Sequence, residues 1–154
     1  MKETETVLLV LFLAFLLFAV YFIQVKGDKK RLTFSYPEMS VTVEVADNPI
    51  TRAKGLMGRS ELGDAYGMLF VFDKMGKYPF WMLNTTIPLD AVYLSEDGTV
   101  VDILQMEPCG LNITQCRQYV PQAEARYVLE VNQGFSKKHG IEIGKSKADM
   151  TDFS

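Results

Sequence analysis

The chain has 154 residues, a net charge of -3 and a sequence pI near 5.2, enough for one domain with a real core and too little to make two the natural reading. Its Lys and Arg residues are scattered rather than gathered into a stripe, so nucleic acid is not an expected partner. The excess hydrophobicity is concentrated at the N-terminus, and the remainder has the composition of an ordinary globular protein.

Residues 7–25 are apolar apart from Tyr21 and Gln24, after a short flank of residues 1–6. As a helix rising 1.5 Å per residue this run is about 28 Å long, close to the thickness of a bilayer core. A cleaved signal peptide would show a shorter apolar region and a small-x-small site, and a buried helix would show a polar face. Neither pattern is present, so an uncleaved single-span transmembrane anchor is expected, with the membrane as its partner. Orientation signals oppose one another. Lys26, Lys29, Lys30 and Arg31 follow the span and favour a cytoplasmic domain. Cys109 and Cys116, the only cysteines, have the spacing of a small disulfide loop, which favours an oxidising, extracytoplasmic compartment. Asn84-Thr85-Thr86 and Asn112-Ile113-Thr114 fit the glycosylation sequon, a pattern frequent by chance, with Asn112 the better placed. The domain is expected outside the cell membrane.

Residues 26–36 read as a charged tether and residues 37–145 as the globular domain. Within it, residues 40–46 alternate with the two-residue period of a half-buried strand. Asn48 can cap a helix starting at Pro49 and closed by Gly58. Residues 68–72 form an apolar run of strand length, and residues 79–83 an extended segment ended by Pro88. Residues 90–94 and 99–105 flank Asp97-Gly98, a strong hairpin signal. Residues 107–122 make a long loop stapled by the two cysteines. Residues 125–131 alternate again, with Tyr127, Leu129 and Val131 on one face and Arg126, Val128 and Glu130 on the other. Asn132 can cap a helix over residues 133–139 that ends at Gly140. Residues 141–143 read as a last strand, and residues 146–154 as a polar tail. The expected fold is α+β: a compact, mainly antiparallel, β-rich domain, barrel-like and partly closed, with two short helices.

Four motifs occur in order: Gly55-Leu56-Met57-x-Arg59, Gly67-Met68-Leu69-Phe70-x-Phe72, Phe80-Trp81-Met82-x-Asn84-Thr85-x-Ile87-Pro88-Leu89-Asp90, and Arg126-Tyr127-Val128-Leu129-Glu130-Val131. Together they resemble the family called domain of unknown function 192, over about residues 41–144. The resemblance implies a small β-rich domain, often exported or tethered to a membrane, and no particular reaction. Leu83 stands where relatives often carry lysine, and Gly144-Lys145 where a Gly-Asp pair is common.

Arg59, Trp81, Asn84 and Asp90 are the candidate binding residues: a cation, a stacking surface, an amide and an acid suited to a small polar ligand. The structural alternative places Trp81 in the core, uses Asn84 to satisfy the bend and pairs Arg59 with Asp90. No nucleophile-and-base set or phosphate loop is present, and the single histidine, His139, falls at a helix C-terminus, where it complements the dipole. Met57, Met68, Met82 and Met106 suit core packing better than copper. No cofactor or metal is expected. The function read from these residues is a membrane-tethered domain that binds a small polar ligand or a partner protein. The alternatives are a surface hydrolase or transferase using Asp90 and Arg59, and a purely structural accessory domain.

Overall fold

The structure, a computed structural model, describes residues 2–24, 29–111, 114 and 116–153, with side chains in the first helix for residues 6–17. Helix α1 spans Lys2–Gln24. Among the described residues no helix is long and apolar enough to cross a membrane, and the side chains of residues 18–25 of the expected anchor lie outside that set.

The domain is one seven-stranded sheet: β1 (Lys29–Tyr36), β2 (Glu38–Ala46), β3 (Tyr66–Gly76), β4 (Leu89–Leu94), β5 (Val100–Met106), β6 (Ala125–Asn132) and β7 (Lys147–Ala148). The order across it is β5-β4-β6-β3-β2-β1-β7. Every pairing is antiparallel except β2 with β3, whose parallel register needs the crossover through α2 (Pro49–Lys54). The two ends of the sheet meet at a Thr99–Lys147 bridge, so the sheet curls into a partly closed barrel, as the strand pattern predicts.

That closure is built on the β4–β5 hairpin. Asp97 accepts hydrogen bonds from Ser95 and Thr99 in the turn and an ion pair from Lys147 of β7 at 2.8 Å. The Lys147 contact, followed by the hydroxyls, holds its carboxyl well below the usual carboxylate range. The Ala148 amide donates to the Gly98 carbonyl at 2.9 Å, with Gly98 in the left-handed region at φ +83.

Both sides of the sheet are covered. On one side Leu32, Phe34, Val41, Leu69, Val92 and Leu129 form a core completed by Phe135, Ile141, Met150 and Phe153. On the other, Met68, Phe70, Ala91, Tyr93 and Val128 pack under Leu56, Met82, Ile87 and Tyr119. This second layer is held in place by short bridges, Phe80 to Tyr119 and both Leu83 and Thr85 to Cys109, and by the Cys109–Cys116 disulfide, with Cα atoms 5.4 Å apart.

Several expectations are corrected. Within residues 26–36, read as a tether, residues 29–36 form β1: its Lys and Arg residues face outward while Leu32 and Phe34 are fully buried, an alternation hidden by the charged composition. Residues 25–28 lie outside the described residues. Residues 146–154, read as a polar tail, supply β7 and bury Ala148, Met150 and Phe153. Residues 141–143 form no strand; Glu142 instead anchors a turn, its amide donating to the Ser146 hydroxyl oxygen at 2.8 Å. Helix α2 starts where expected, with Asn48 accepting from the Ile50 and Thr51 amides, but stops at Gly55 rather than Gly58. Helix α3 is only Phe135–His139, and its cap is not Asn132, whose side chain donates to the Leu62 carbonyl at 2.9 Å.

A Cβ added at Gly98 would sit 2.0 Å from the Ala148 carbonyl oxygen in a backbone conformation that disfavours side chains. Gly98→Ala is expected to destabilise the fold by on the order of 3 kcal/mol, measured by urea unfolding. An unchanged midpoint would mean that β7 does not close the barrel as described.

Candidate functional site: a cleft over a buried carboxyl

The bend from Phe80 to Asp90 crosses the outer layer of the sheet. Asn84 takes a left-handed conformation at φ 51, which asparagine tolerates, and its carbonyl receives the Gly58 amide at 2.8 Å. This bond ties the bend to the turn after α2. Between these two segments and the sheet lies a cleft of about 270 Å³. Its walls are α2 and Gly55 on one side and residues 78–81 on the other; its floor is Phe70, Phe72 and Glu130.

Aromatic rings dominate the cleft. Phe70 and Phe80 meet edge to face at 4.8 Å, and Phe72 and Tyr78 stack at 3.6 Å. Trp81, the only tryptophan, stays 41% exposed at the mouth. The Arg52 guanidinium lies 5.3 Å over Phe72 and donates to the carbonyls of Asp47 and Val71 at 2.8 and 2.7 Å. Gly55, at φ 47, holds a backbone conformation that side chains rarely adopt, and a Cβ there would make ordinary contact with Phe70 at 3.4 Å.

Glu130 is the unexpected member. It pairs with Met68 on β3 and Ala91 on β4, so it sits at the centre of the sheet on the cleft side, and it is 4% exposed. No hydrogen bond to its carboxyl is found among the described residues, and its oxygens are not among the fully enclosed unsatisfied atoms there, which are Arg126 Nε and Ser136 Oγ, so the carboxyl opens onto the cleft. Burial alone pushes its pKa up to about 8. The same burial, with the charges of Glu130 and Asp102 adding to it, raises the neighbouring Tyr93 phenol above its ordinary value. The β6 alternation places Glu130 opposite Leu129 and Val131, but that pattern alone reads as a solvent-facing position, because it does not reveal the second layer.

The four residues singled out from the sequence do not converge. Trp81 lines the cleft. Arg59 pairs with Glu44 at 2.5 Å, beside a separate 20 Å³ niche that shares only Lys54 and Gly55 with the cleft. Asn84 serves the bend through its backbone. Asp90 lies on the opposite face of the sheet, in register with Val131, where its two oxygens accept the amides of Gly134 at 3.1 Å and Ser136 at 3.0 Å at the start of α3. Neither of the two expected partnerships of Arg59 and Asp90, in a shared site or as a salt bridge, is formed. Asn112 lies outside the described residues.

A wider depression of about 580 Å³ beside β7 is more open, and four of its five charged side chains are already paired, Arg126 with Glu96 and Lys147 with Asp97, while Asp149 accepts from Thr151. The smaller cleft is therefore the better site. Among the described residues no group of three or more His, Cys, Asp or Glu side chains could hold a metal ion.

A small β-rich barrel with an aromatic cleft over a buried acid is thus the class of domain defined here. Residues 32–147 match the family model for domain of unknown function 192, described as an uncharacterised ACR, and the chain belongs to that family. A UPF0127 protein of Pyrococcus abyssi is 34% identical over 105 residues, 66% of this chain and 80% of its own length. Two solved structures share the fold at TM-score 0.70 over 80% of this chain. One is a protein of unknown function from Novosphingobium aromaticivorans, 30% identical and 86% covered. The other is a Sinorhizobium meliloti protein provisionally described as a transcription regulator, 29% identical and 95% covered.

The Glu130 carboxyl keeps its proton in the folded state up to about pH 8, whereas the unfolded chain releases it near 4.5. The folded state binds the extra proton between those values, so the stability this group allows is complete below about pH 4.5 and falls as pH rises through 8. Glu130→Gln is expected to remove that decline and to gain on the order of 4 kcal/mol relative to the native protein above pH 8. Urea unfolding at pH 5 and pH 8.5 measures it; parallel pH dependences in the two proteins would contradict the burial.

Proposed function

We propose that this protein is a membrane-tethered, extracytoplasmic binding module whose cleft under Trp81 takes a small amphipathic ligand. The observation that carries the reading is the Glu130 carboxyl, nearly buried at the cleft floor and without a hydrogen bond among the described residues. A purely structural domain gains nothing from such a group, because burying an unsatisfied carboxyl costs stability. A ligand that brings its own polar group removes the cost. The aromatic walls supply apolar contact, and Trp81 is positioned to cover the bound molecule.

Tethering rests on α1, where ten large apolar side chains between Val7 and Leu17 are exposed around the helix, and on the continuation of that apolar sequence to residue 25. The disulfide supports the outer face of the membrane. Two of the four opposing basic residues have a structural use. Lys30 donates to the Asp152 carbonyl at 2.6 Å and lies 5.3 Å over Phe153, and Lys29 lies 5.5 Å over Tyr66. A hydrolase built on Asp90 and Arg59 is disfavoured, since Asp90 is spent on α3 across the sheet from the cleft.

Protease added to intact cells is expected to remove the domain, while full protection under conditions that cut other surface proteins would contradict the topology. For binding, Trp81 is a built-in reporter. A screen of small amphipathic compounds is expected to yield saturable changes in its emission that Trp81-distant substitutions such as Lys145→Ala leave intact. A screen in which no compound shifts the emission would sink the binding reading.

A further inference from the structure

The chemistry of the cleft narrows its ligand, on the reading that the cleft is a binding site. We infer that it takes a small organic ammonium ion, its charged nitrogen seated on the Glu130 carboxylate and its apolar body against Phe70, Phe80 and Trp81. Three observations converge on this. The first is the carboxyl itself: it is the one acidic group lining the cleft, it is almost fully buried, and it has no hydrogen bond among the described residues. A ligand that covers the cleft removes what water the carboxyl has left. A cation restores the loss in full through a charge-assisted hydrogen bond, which is stronger than a neutral one.

The second is the wall. Five aromatic residues line the cleft, and aromatic faces attract cations most strongly where water is excluded. One of these rings already shows the behaviour, since Phe72 carries the Arg52 guanidinium at 5.3 Å. The third is the distribution of charge around the site. From α2, Arg52 and Lys54 reach its edge; Tyr78 comes from the segment after β3, Tyr93 from β4, and the Arg59–Glu44 pair lies in the adjoining niche. Arg52 is bound to two backbone carbonyls, and neither it nor Lys54 draws the Glu130 carboxyl down, for burial is the only cause of its shift. The floor is therefore a lone acid that no cation among the described residues neutralises.

Binding is coupled to one proton. In the empty cleft below about pH 8 the carboxyl is protonated; an incoming ammonium ion pairs with the carboxylate, and the Glu130 proton leaves to solvent. Affinity for an amine that stays protonated over this range must then rise with pH up to about 8. A neutral ligand that accepts the Glu130 proton in a hydrogen bond must do the opposite.

The test uses the full chain in detergent micelles, with phenethylamine as the probe and 2-phenylethanol as its neutral counterpart, followed by Trp81 emission and by calorimetry in two buffers of different ionisation enthalpy. Phenethylamine is expected to bind at least about tenfold more tightly than the alcohol at pH 8.5 and to weaken about twentyfold by pH 6.5, releasing close to one proton there. Glu130→Gln should abolish the preference and the pH dependence while still binding the alcohol. Equal affinities at pH 8.5, or a phenethylamine affinity that does not fall towards pH 6.5, would overturn the ammonium assignment and leave the cleft as a site for neutral ligands. Absence of any response to either probe would overturn it as well, and only a silent screen across chemical classes would also remove the binding reading. The comparison of the two probes in the unaltered protein stands even if the Glu130→Gln protein does not fold.

Discussion

Burial on both faces of β6 is the constraint from which the rest of this structure follows. The strand lies between β3 and β4, with Tyr127, Leu129 and Val131 turned to one core and Val128 and Glu130 to the other. A sheet in a small antiparallel domain can leave one face to water. Here an outer layer built from α2, the Phe80–Asp90 bend and the disulfide-bearing loop covers that face. The layer does not fill it completely, and the remaining gap is the cleft. Gly67 shows how tightly the centre is drawn: a Cβ there would lie 2.5 Å from the Glu130 carbonyl oxygen, so β3 and β6 approach as closely as they do only because that position is glycine.

This architecture explains why acidic residues of similar depth have different uses. Asp90 and Glu130 are both nearly inaccessible and sit on adjacent strands, but on opposite faces of the sheet. Asp90 finds two backbone amides at the start of α3 and is fully employed in holding that helix to β4. Asp102 likewise accepts the amides of Ile103 and Gln122. Glu130 finds no such partner among the described residues. What separates Asp90 and Asp102 from Glu130 is therefore the supply of backbone donors around each carboxyl, not its depth.

Much of the fold is legible in the sequence where a local rule acts alone. Asp97-Gly98 marks the hairpin, Asn48-Pro49 marks the start of α2, and the cysteine spacing marks the disulfide. The family is legible too, because its four motifs are contiguous. What is hidden depends on distant partners. β1 is masked by its Lys and Arg residues, since Leu32 and Phe34 reveal a strand only once β2 lies beside them. Asp90 caps a helix 44 and 46 residues further on, a relation that no spacing rule contains. Glu130 alternates as a solvent-facing residue would. Its burial is set by a layer of chain contributed from elsewhere, which no local pattern shows, whereas Trp81 stands out by its rarity.

The cleft is defined by a Glu130 carboxyl that is nearly buried and has no hydrogen bond among the described residues. Titration of this carboxyl, followed by carbon-13 resonances of glutamate side-chain carboxyls and assigned by the signal missing from Glu130→Gln, tests that directly. A midpoint near pH 8 is the predicted result. A midpoint near the ordinary value of 4.5 would show a solvated or partnered carboxylate and contradict the site described here.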